Sequence, residues 1–141
     1  MRRFRQTTSA SLINYFILPQ LILSFFYPVQ FHTGLGDPDL TLTLASPAHL
    51  QPLIRFYSES QTQKPKIVLL HAGYPYTREA GYLAAMYENV YLDMGEVCPQ
   101  VSAKGQKVVW EQALELCPGN KLLWSSEFWP LISSLYMLMV K

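Results

Sequence analysis

The stretch that decides the fold of this chain is KIVLLHAGYPYTREAGYLAAMYENVYLDMG, residues Lys66–Gly95. It opens with a short apolar run, Ile67–Leu70, which stops at His71 and has the length and composition of a buried strand. Apolar and small residues then recur at the spacing of one helical face. These residues are Ala80, Leu83, Ala84 and Tyr87. A second apolar run follows at Val90–Met94, so the stretch predicts a βαβ unit and hence a parallel sheet.

Segments on both sides continue this alternation of strand and helix. Val29–His32 is a short apolar strand that, like the central one, ends in a histidine. Lys121–Ser125 has the pattern of a further strand. The residues expected to cap helices are Ser46, Thr77 and Ser102. We therefore expect parallel strands near residues 29–32, 67–71, 90–94 and 121–125, with helices on the outside, and a loop over Gly95–Val101.

Composition bounds the class of protein. Half of the 141 residues are hydrophobic and 15% are charged, which is typical of a folded domain with a real core. The net charge is +1 and the basic residues do not cluster beyond the first five positions, so nothing favours a nucleic-acid partner. Cys98 and Cys117 are too few for a disulfide framework and lack CxxC spacing, which favours reduced thiols and a cytoplasmic location.

Residues 1–27 form an apolar segment that raises the question of a membrane. After the arginines near the start, no charged residue occurs before Asp37. A spanning helix needs about 20 apolar residues, and Asn14, Pro19 and Gln20 interrupt this run. The sequence around residues 25–28 is also a poor cleavage site for a signal peptide. We expect a helix over residues 10–26 that packs on the sheet, with a signal or anchor, or an Arg-rich organellar presequence, as the alternatives.

Five segments in order resemble the metal-dependent amidohydrolase-related family (amidohydrolase 2), above all a fungal branch fused to a glutamine-synthetase-like domain. The segments are QFHTGLGD, SPAHLQPLI, VLLHAGYPYTREAGYLA, VYLDMGEV and QALELCPGNKLLWSS. The resemblance covers about residues 28–127 and implies an α/β fold, a partial (β/α)8 TIM barrel that holds the C-terminal half. Residues 128–141 then form a divergent apolar tail.

The resemblance also implies which residues belong to an active site. His32 matches the histidine on the family's fifth strand, a metal ligand, and His71 matches the one on the sixth strand, which polarises or deprotonates the attacking water. Glu127 is the nearest match to an aspartate on the eighth strand, although WSSEFWP stands where the family has a WSTDGH-like motif. The family's first-strand HxH motif, which supplies two further ligands, does not occur in this chain. Glu96 is a candidate for the rim of the site, and His49 is expected on the solvent side of its helix.

As a hydrolase of this family, the chain would act on a small-molecule substrate with the help of a divalent metal, zinc being the metal that imidazole and carboxylate ligands suit best. The missing ligands imply an incomplete metal site and a chain that is inactive or weakly active alone, with a second copy or the missing barrel half as its partner. A membrane partner is not expected. From the residues alone, histidines at strand ends are more commonly structural than catalytic. Two alternatives therefore stay open: a non-catalytic interaction or regulatory scaffold, and a truncated gene product.

Overall fold

The computed structural model describes residues 28–36, 38–59 and 64–125, and these residues contain one parallel sheet. The sheet has the order β1-β2-β3-β4, and each neighbouring pair is parallel. The strands are β1 (Val29–Phe31), β2 (Ile67–Leu69), β3 (Val90–Asp93) and β4 (Leu122–Leu123). The predicted α/β fold with four parallel strands is confirmed, and the arrangement is that of a partial barrel.

Helices connect the strands. They are α1 (Gln51–Glu59), α2 (Thr77–Met86), α3 (Val97–Gln100) and α4 (Ala103–Leu114). Single 3₁₀ turns occupy Leu42–Leu44, Pro47–Leu50, His71–Gly73 and Gly119–Lys121. The α2 helix links β2 to β3 and packs against both β3 and α4. Because all neighbouring strands are parallel, their carboxyl ends lie at one edge of the sheet.

The core lies around the two central strands. All of β2 is buried, and β3 is buried except for the partly exposed Tyr91, whereas β1 and β4 are at most half-buried. Near-continuous apolar burial is expected of a parallel strand that is covered on both faces. The largest fully buried aliphatic side chains are Ile54, Ile67, Leu69, Leu83, Leu92 and Met94.

Two of the three predicted helix caps are confirmed. The Ser46 hydroxyl accepts a hydrogen bond from the Ala48 N–H (3.3 Å), and the Ser102 hydroxyl accepts one from Gly105 (3.1 Å). The prediction for Thr77 is wrong, because Thr77 is already the first helical residue and Tyr76 takes the N-cap position. A capping side chain must stand on the residue before the first turn. The Thr77 hydroxyl is instead buried, with no hydrogen-bond partner among the described residues.

The strands end earlier than the apolar runs predict. The run over residues 67–71 is a strand only as far as Leu69, because His71 and Ala72 adopt left-handed backbone conformations, with φ of 62° and 54°. The other strands are likewise shorter than predicted by one to three residues. The predicted loop Gly95–Val101 contains the short helix α3, in whose first turn Pro99 needs no N–H.

Three predictions fall on residues outside the described ranges. These are the helix over residues 10–26, the acid Glu127 and the divergent tail over residues 128–141. Among the described helices, none combines the length and the apolar composition that crossing a bilayer requires.

Candidate functional site

The two histidines selected from the sequence lie side by side. His32 directly follows β1 and His71 follows β2 by two residues, so both stand beyond the carboxyl ends of neighbouring strands. Their ring centroids are 4.5 Å apart, and the ring planes cross at 66°. In parallel α/β barrels this is the edge at which catalytic residues gather. The register of the sheet therefore brings together two residues that are 39 positions apart in the chain.

His71 is the buried member of this pair, with 1% of its surface exposed. Its Nδ1 lies 3.1 Å from a carboxylate oxygen of Glu96, which is close enough for an ion pair. The angle does not meet that of a hydrogen bond, so the atom counts as buried without a hydrogen-bond partner among the described residues. The short distance places the Glu96 carboxylate within ion-pair range of the His71 ring. Glu96, predicted at the rim, thus lies beside His71.

His32 is the exposed member of the pair, and its Nε2 is engaged by the backbone. The nitrogen forms a hydrogen bond with the Leu35 carbonyl, three residues further along the same loop. Gly36 leaves room for the ring, because a Cβ at that position would lie 3.1 Å from Nε2. In this conformation Nε2 is satisfied by the protein itself, so it would have to leave Leu35 before it could bind a ligand.

The loops that carry the two histidines are locked together at Gly34. Gly34 has φ of +71°, and a Cβ there would lie 2.1 Å from the Tyr74 carbonyl oxygen. The Thr33 hydroxyl also donates to the Leu70 carbonyl at 2.9 Å. The glycine at this position is therefore required for close contact between two backbones rather than for binding a phosphate.

A carboxylate that the sequence analysis did not single out lies at the same edge. Asp93 is the last residue of β3, is 3% exposed, and accepts hydrogen bonds from the Gly95 N–H (3.1 Å) and the Ser125 hydroxyl (3.0 Å). Burial raises the pKa of the Asp93 carboxyl, while these two bonds, and then the charge and the backbone of His71, act in the opposite direction. The signal that could have found it is an acidic residue at the carboxyl end of an otherwise apolar strand.

The described residues do not complete a metal centre. No point among them is surrounded by three or more His, Cys, Asp or Glu side chains that could hold an ion. Glu127, predicted as the catalytic acid, lies outside the described ranges, so the structure does not test its position. His49, as predicted, is exposed, and its Nε2 bonds the Thr43 carbonyl at 2.9 Å. A divalent metal therefore does not fit the ligands present in the described part of the chain.

The described residues also form a cleft of about 460 Å³ among the helices. Its lining includes Gln51, Arg78, Glu79, Tyr82 and Gln112 but neither His32 nor His71. Arg78 is already held by a two-pronged ion pair with Glu115, at 2.8 and 2.9 Å. The cleft is thus separate from the histidine pair.

Comparisons with known proteins agree with this geometry. A family model described as Amidohydrolase matches residues 27–137. The chain is 54% identical over 100 residues to Protein fluG of Emericella nidulans, a match that covers 71% of this chain and 11% of fluG. It also resembles the crystal structure of a candidate metal-dependent hydrolase from Lactobacillus casei, with a TM-score of 0.66 and 33% identity. That match covers 82% of this chain and 29% of the solved one, so the chain spans a small part of each relative.

Proposed function

Because this chain belongs to the amidohydrolase family, we propose that it carries the His32–His71 part of a metal-dependent hydrolase site and is inactive or weakly active by itself. The observation that carries the proposal is the contact between the two imidazole rings, 4.5 Å apart beyond the carboxyl ends of adjacent parallel strands. The expected substrate is a small molecule with a C–N or ester bond.

His71 is the residue best placed to handle a proton. Its Nδ1 faces Glu96 at 3.1 Å, which leaves Nε2 as the ring nitrogen that can accept or donate a proton. Its burial excludes water from most of the ring and fixes its orientation. A positioned histidine of this kind contributes on the order of 10²–10⁴-fold to a hydrolytic rate. Its partner His32 would contribute an imidazole nitrogen to a metal site once it is released from Leu35.

The ligand count sets the limit on activity. A catalytic zinc site typically uses three protein ligands and keeps one open position. The described residues offer two neighbouring imidazoles, but no group of three or more His, Cys, Asp or Glu side chains among them could hold an ion. We therefore expect the 141-residue chain to bind zinc with micromolar or poorer affinity, as an order of magnitude.

A partner that completes the barrel is the second part of the proposal. Within the described ranges, β1 and β4 each pair with one strand, so each has an outer edge that no described strand covers. Closing a TIM barrel takes eight strands, and either a second copy of this chain or a separate barrel half could supply the other four. Light scattering coupled to size-exclusion chromatography distinguishes a monomer from a dimer directly.

A non-catalytic scaffold is the second candidate function. One observation favours it: the His32 Nε2 that a metal would need is occupied by the Leu35 carbonyl. A scaffold of this kind would keep the sheet and the core while its histidines bind nothing. Metal content separates the two functions, because a scaffold should show no zinc binding that depends on His32 or His71.

Calorimetric titration with zinc tests the main proposal. The unmodified chain should bind weakly, and His32→Ala and His71→Ala should each abolish that binding. His49→Ala is the matched control, since His49 is the third histidine of the chain and, among the described residues, its ring bonds the Thr43 carbonyl away from the pair. Nanomolar binding that both site variants abolish would instead establish a complete metal site. Binding that survives both of them would remove the histidine pair from the site altogether.

Reconstitution tests the hydrolase part. We expect no turnover of C–N or ester substrates by the chain alone, and measurable turnover when a barrel half that carries an HxH strand is added. His71→Ala should then lower kcat by about 10²–10⁴-fold, whereas His49→Ala should leave it unchanged. Full activity of the His71→Ala protein would disprove the role assigned to His71.

A further inference from the structure

We propose that Asp93 is the residue that positions His71, by holding the loops after β2, β3 and β4 in one arrangement at the carboxyl edge of the sheet. The inference rests on the proposed role of His71 and extends it to a residue outside the histidine pair. Asp93 acts here through other groups, so it is a positioning residue rather than a catalytic one.

The hydrogen bonds of Asp93 span the end of the sheet. One carboxylate oxygen, Oδ2, accepts from the Gly95 N–H at 3.1 Å and from the Ser125 hydroxyl at 3.0 Å. Gly95 belongs to the loop after β3, and Ser125 lies two residues beyond β4. One buried oxygen therefore fixes its own loop to the end of the neighbouring strand.

Gly95 shows how closely these groups are packed. A Cβ on Gly95 would lie 1.9 Å from the Ser125 hydroxyl oxygen and 3.0 Å from Asp93 Oδ2. No residue with a side chain could occupy this position without moving the backbone or breaking the two bonds. The arrangement around Asp93 is thus a fixed junction rather than a loose surface contact.

The junction reaches His71 as well. Glu96 directly follows Gly95, its carboxylate lies 3.1 Å from the His71 Nδ1, and β3 packs against the turn His71–Gly73. His71, Ala72 and Glu96 all have positive φ, between 54° and 62°, although none of them is glycine. Such backbones are unfavourable for residues with a side chain and persist only where the surroundings hold them in place. Asp93 is buried at the end of β3 and binds the Gly95 N–H beside the strained Glu96, so it is placed to hold both turns.

The burial of Asp93 argues in the same direction. A buried carboxylate is unfavourable unless hydrogen bonds and charges compensate for its lost hydration. Here the Gly95 and Ser125 donors and His71 offset part of this cost, so the burial of Asp93 is tolerated only in the arrangement that these groups form. Among the residues that the structure describes, Asp93 does not form a three-ligand cluster with the histidines, which separates this role from metal binding.

Nuclear magnetic resonance of the histidine rings tests the inference. The chain contains only three histidines, so the ring signals are few, and the exposed His49 serves as an internal reference. Asp93→Ala should shift the His71 ring signals and abolish the nuclear Overhauser cross-peak between the His32 and His71 rings, with the His49 signals unchanged. Asp93→Asn, which keeps an oxygen acceptor for Gly95 and Ser125, should restore the cross-peak.

A matched control is available at the opposite end of the same strand. Asn89 precedes β3, is buried, and makes two side-chain hydrogen bonds, to Pro65 and Ser58. Asn89→Ala should lower the unfolding temperature but leave the His32–His71 cross-peak intact. If Asn89→Ala disturbs the cross-peak as strongly as Asp93→Ala does, the effect is general loosening and the inference is overturned.

Ser125→Ala keeps the inference testable if Asp93→Ala fails to fold. It removes one of the two donors and should weaken the cross-peak without moving the His49 signals. An unchanged cross-peak in folded Asp93→Ala or in Ser125→Ala would overturn the inference. The zinc titration of the unmodified chain is independent of these spectra, so a failure of the proposed function can be told apart from a failure of this one.

Discussion

The two ends of the sheet are built differently. At the amino end, Asn89 donates to the Pro65 carbonyl at 2.8 Å and accepts from the Ser58 hydroxyl at 3.0 Å. There too, the Lys121 ammonium donates to the Ala84 and Tyr87 carbonyls at 2.7 and 2.8 Å, where α2 ends. At the carboxyl end, by contrast, His71 and Glu96 have left-handed backbones, and the His71 Nδ1 lacks a hydrogen bond within the described part of the chain.

This difference indicates that the amino end of the sheet stabilises the fold and that the carboxyl end is suited to a functional site. Hydrogen bonds such as those of Asn89 and Lys121 stabilise a fold, whereas strained backbones and unsatisfied buried atoms cost free energy and tend to gather at functional sites. In barrels the same division is general, with function at the carboxyl ends of the strands. The strained end of this sheet is therefore the end at which a site is expected, independently of the family match.

The largest expected effect comes from the backbone contact at the carboxyl end. Gly34→Ala would place a Cβ 2.1 Å from the Tyr74 carbonyl oxygen at a residue with φ of +71°. We expect a loss of about 3 kcal/mol in the free energy of unfolding, from overpacking and left-handed strain together. Urea unfolding measures it, and Gly119→Ala is the control, because a Cβ there has no neighbour within 4 Å. Equal losses in the two variants would show that the loops are not locked at Gly34.

A smaller loss is expected at the amino end. Lys121→Met keeps the aliphatic stem but removes both hydrogen bonds to the last carbonyls of α2, which should lower the free energy of unfolding by about 1–2 kcal/mol. Lys107→Met is the matched control, since Lys107 is largely exposed and its ion pair with Glu111 is long, at 3.8 Å. If Lys121→Met behaves like Lys107→Met in urea unfolding, the amino end is not the stabilising end that we describe.

The sequence predicted the framework of this molecule because burial patterns are local. The apolar runs around Ile67 and Val90, with helical spacing between them, suffice to predict a βαβ unit. The predicted ends of the strands were less accurate, as at His71, because a left-handed turn depends on what the adjacent loop packs against. The proximity of His32 and His71 followed from the topology alone, since parallel strands share one carboxyl edge.

Asp93 shows why part of the site could not be predicted. Within VYLDMG the aspartate is typical of the polar end of a strand. Nothing in the local sequence indicates that the hydroxyl of Ser125, 32 positions later, donates a hydrogen bond to it. Such a contact is created by strand pairing between β3 and β4, which sequence periodicity does not report. The same is true of Glu96, whose position beside the His71 ring depends on a turn with φ of 60°.

A pH-dependent effect of smaller size should separate the two ends further. Because the folded-state pKa of Asp93 is raised, protonation favours the folded state, and this contribution is fully present below the unfolded pKa of about 3.9. It is lost as the pH rises through the folded pKa. The free energy of unfolding of Asp93→Asn should therefore lack this decline, as seen in the difference between urea titrations of the two proteins from pH 3.5 upward. A parallel pH dependence in both proteins would contradict the raised pKa.

The smallest effect is expected at the surface of the helices, where Arg78 and Glu115 form the best-shaped ion pair of the described residues. The Arg78 guanidinium holds the pKa of Glu115 below its usual value, first through hydrogen bonding. The contribution of Glu115 is thus present above the pKa of an unfolded glutamate and is lost as the pH falls through the lowered one. Both side chains are largely exposed, however, so water and salt screen the pair, and exposed pairs contribute little.

Glu115→Gln should therefore leave the unfolding midpoint in urea close to that of Glu111→Gln, its control in the looser Lys107 pair. A clear loss specific to Glu115→Gln at pH 7, reduced in high salt, would mean that stability also resides in the helix layer beside the carboxyl end, and the contrast between the two ends of the sheet would weaken accordingly.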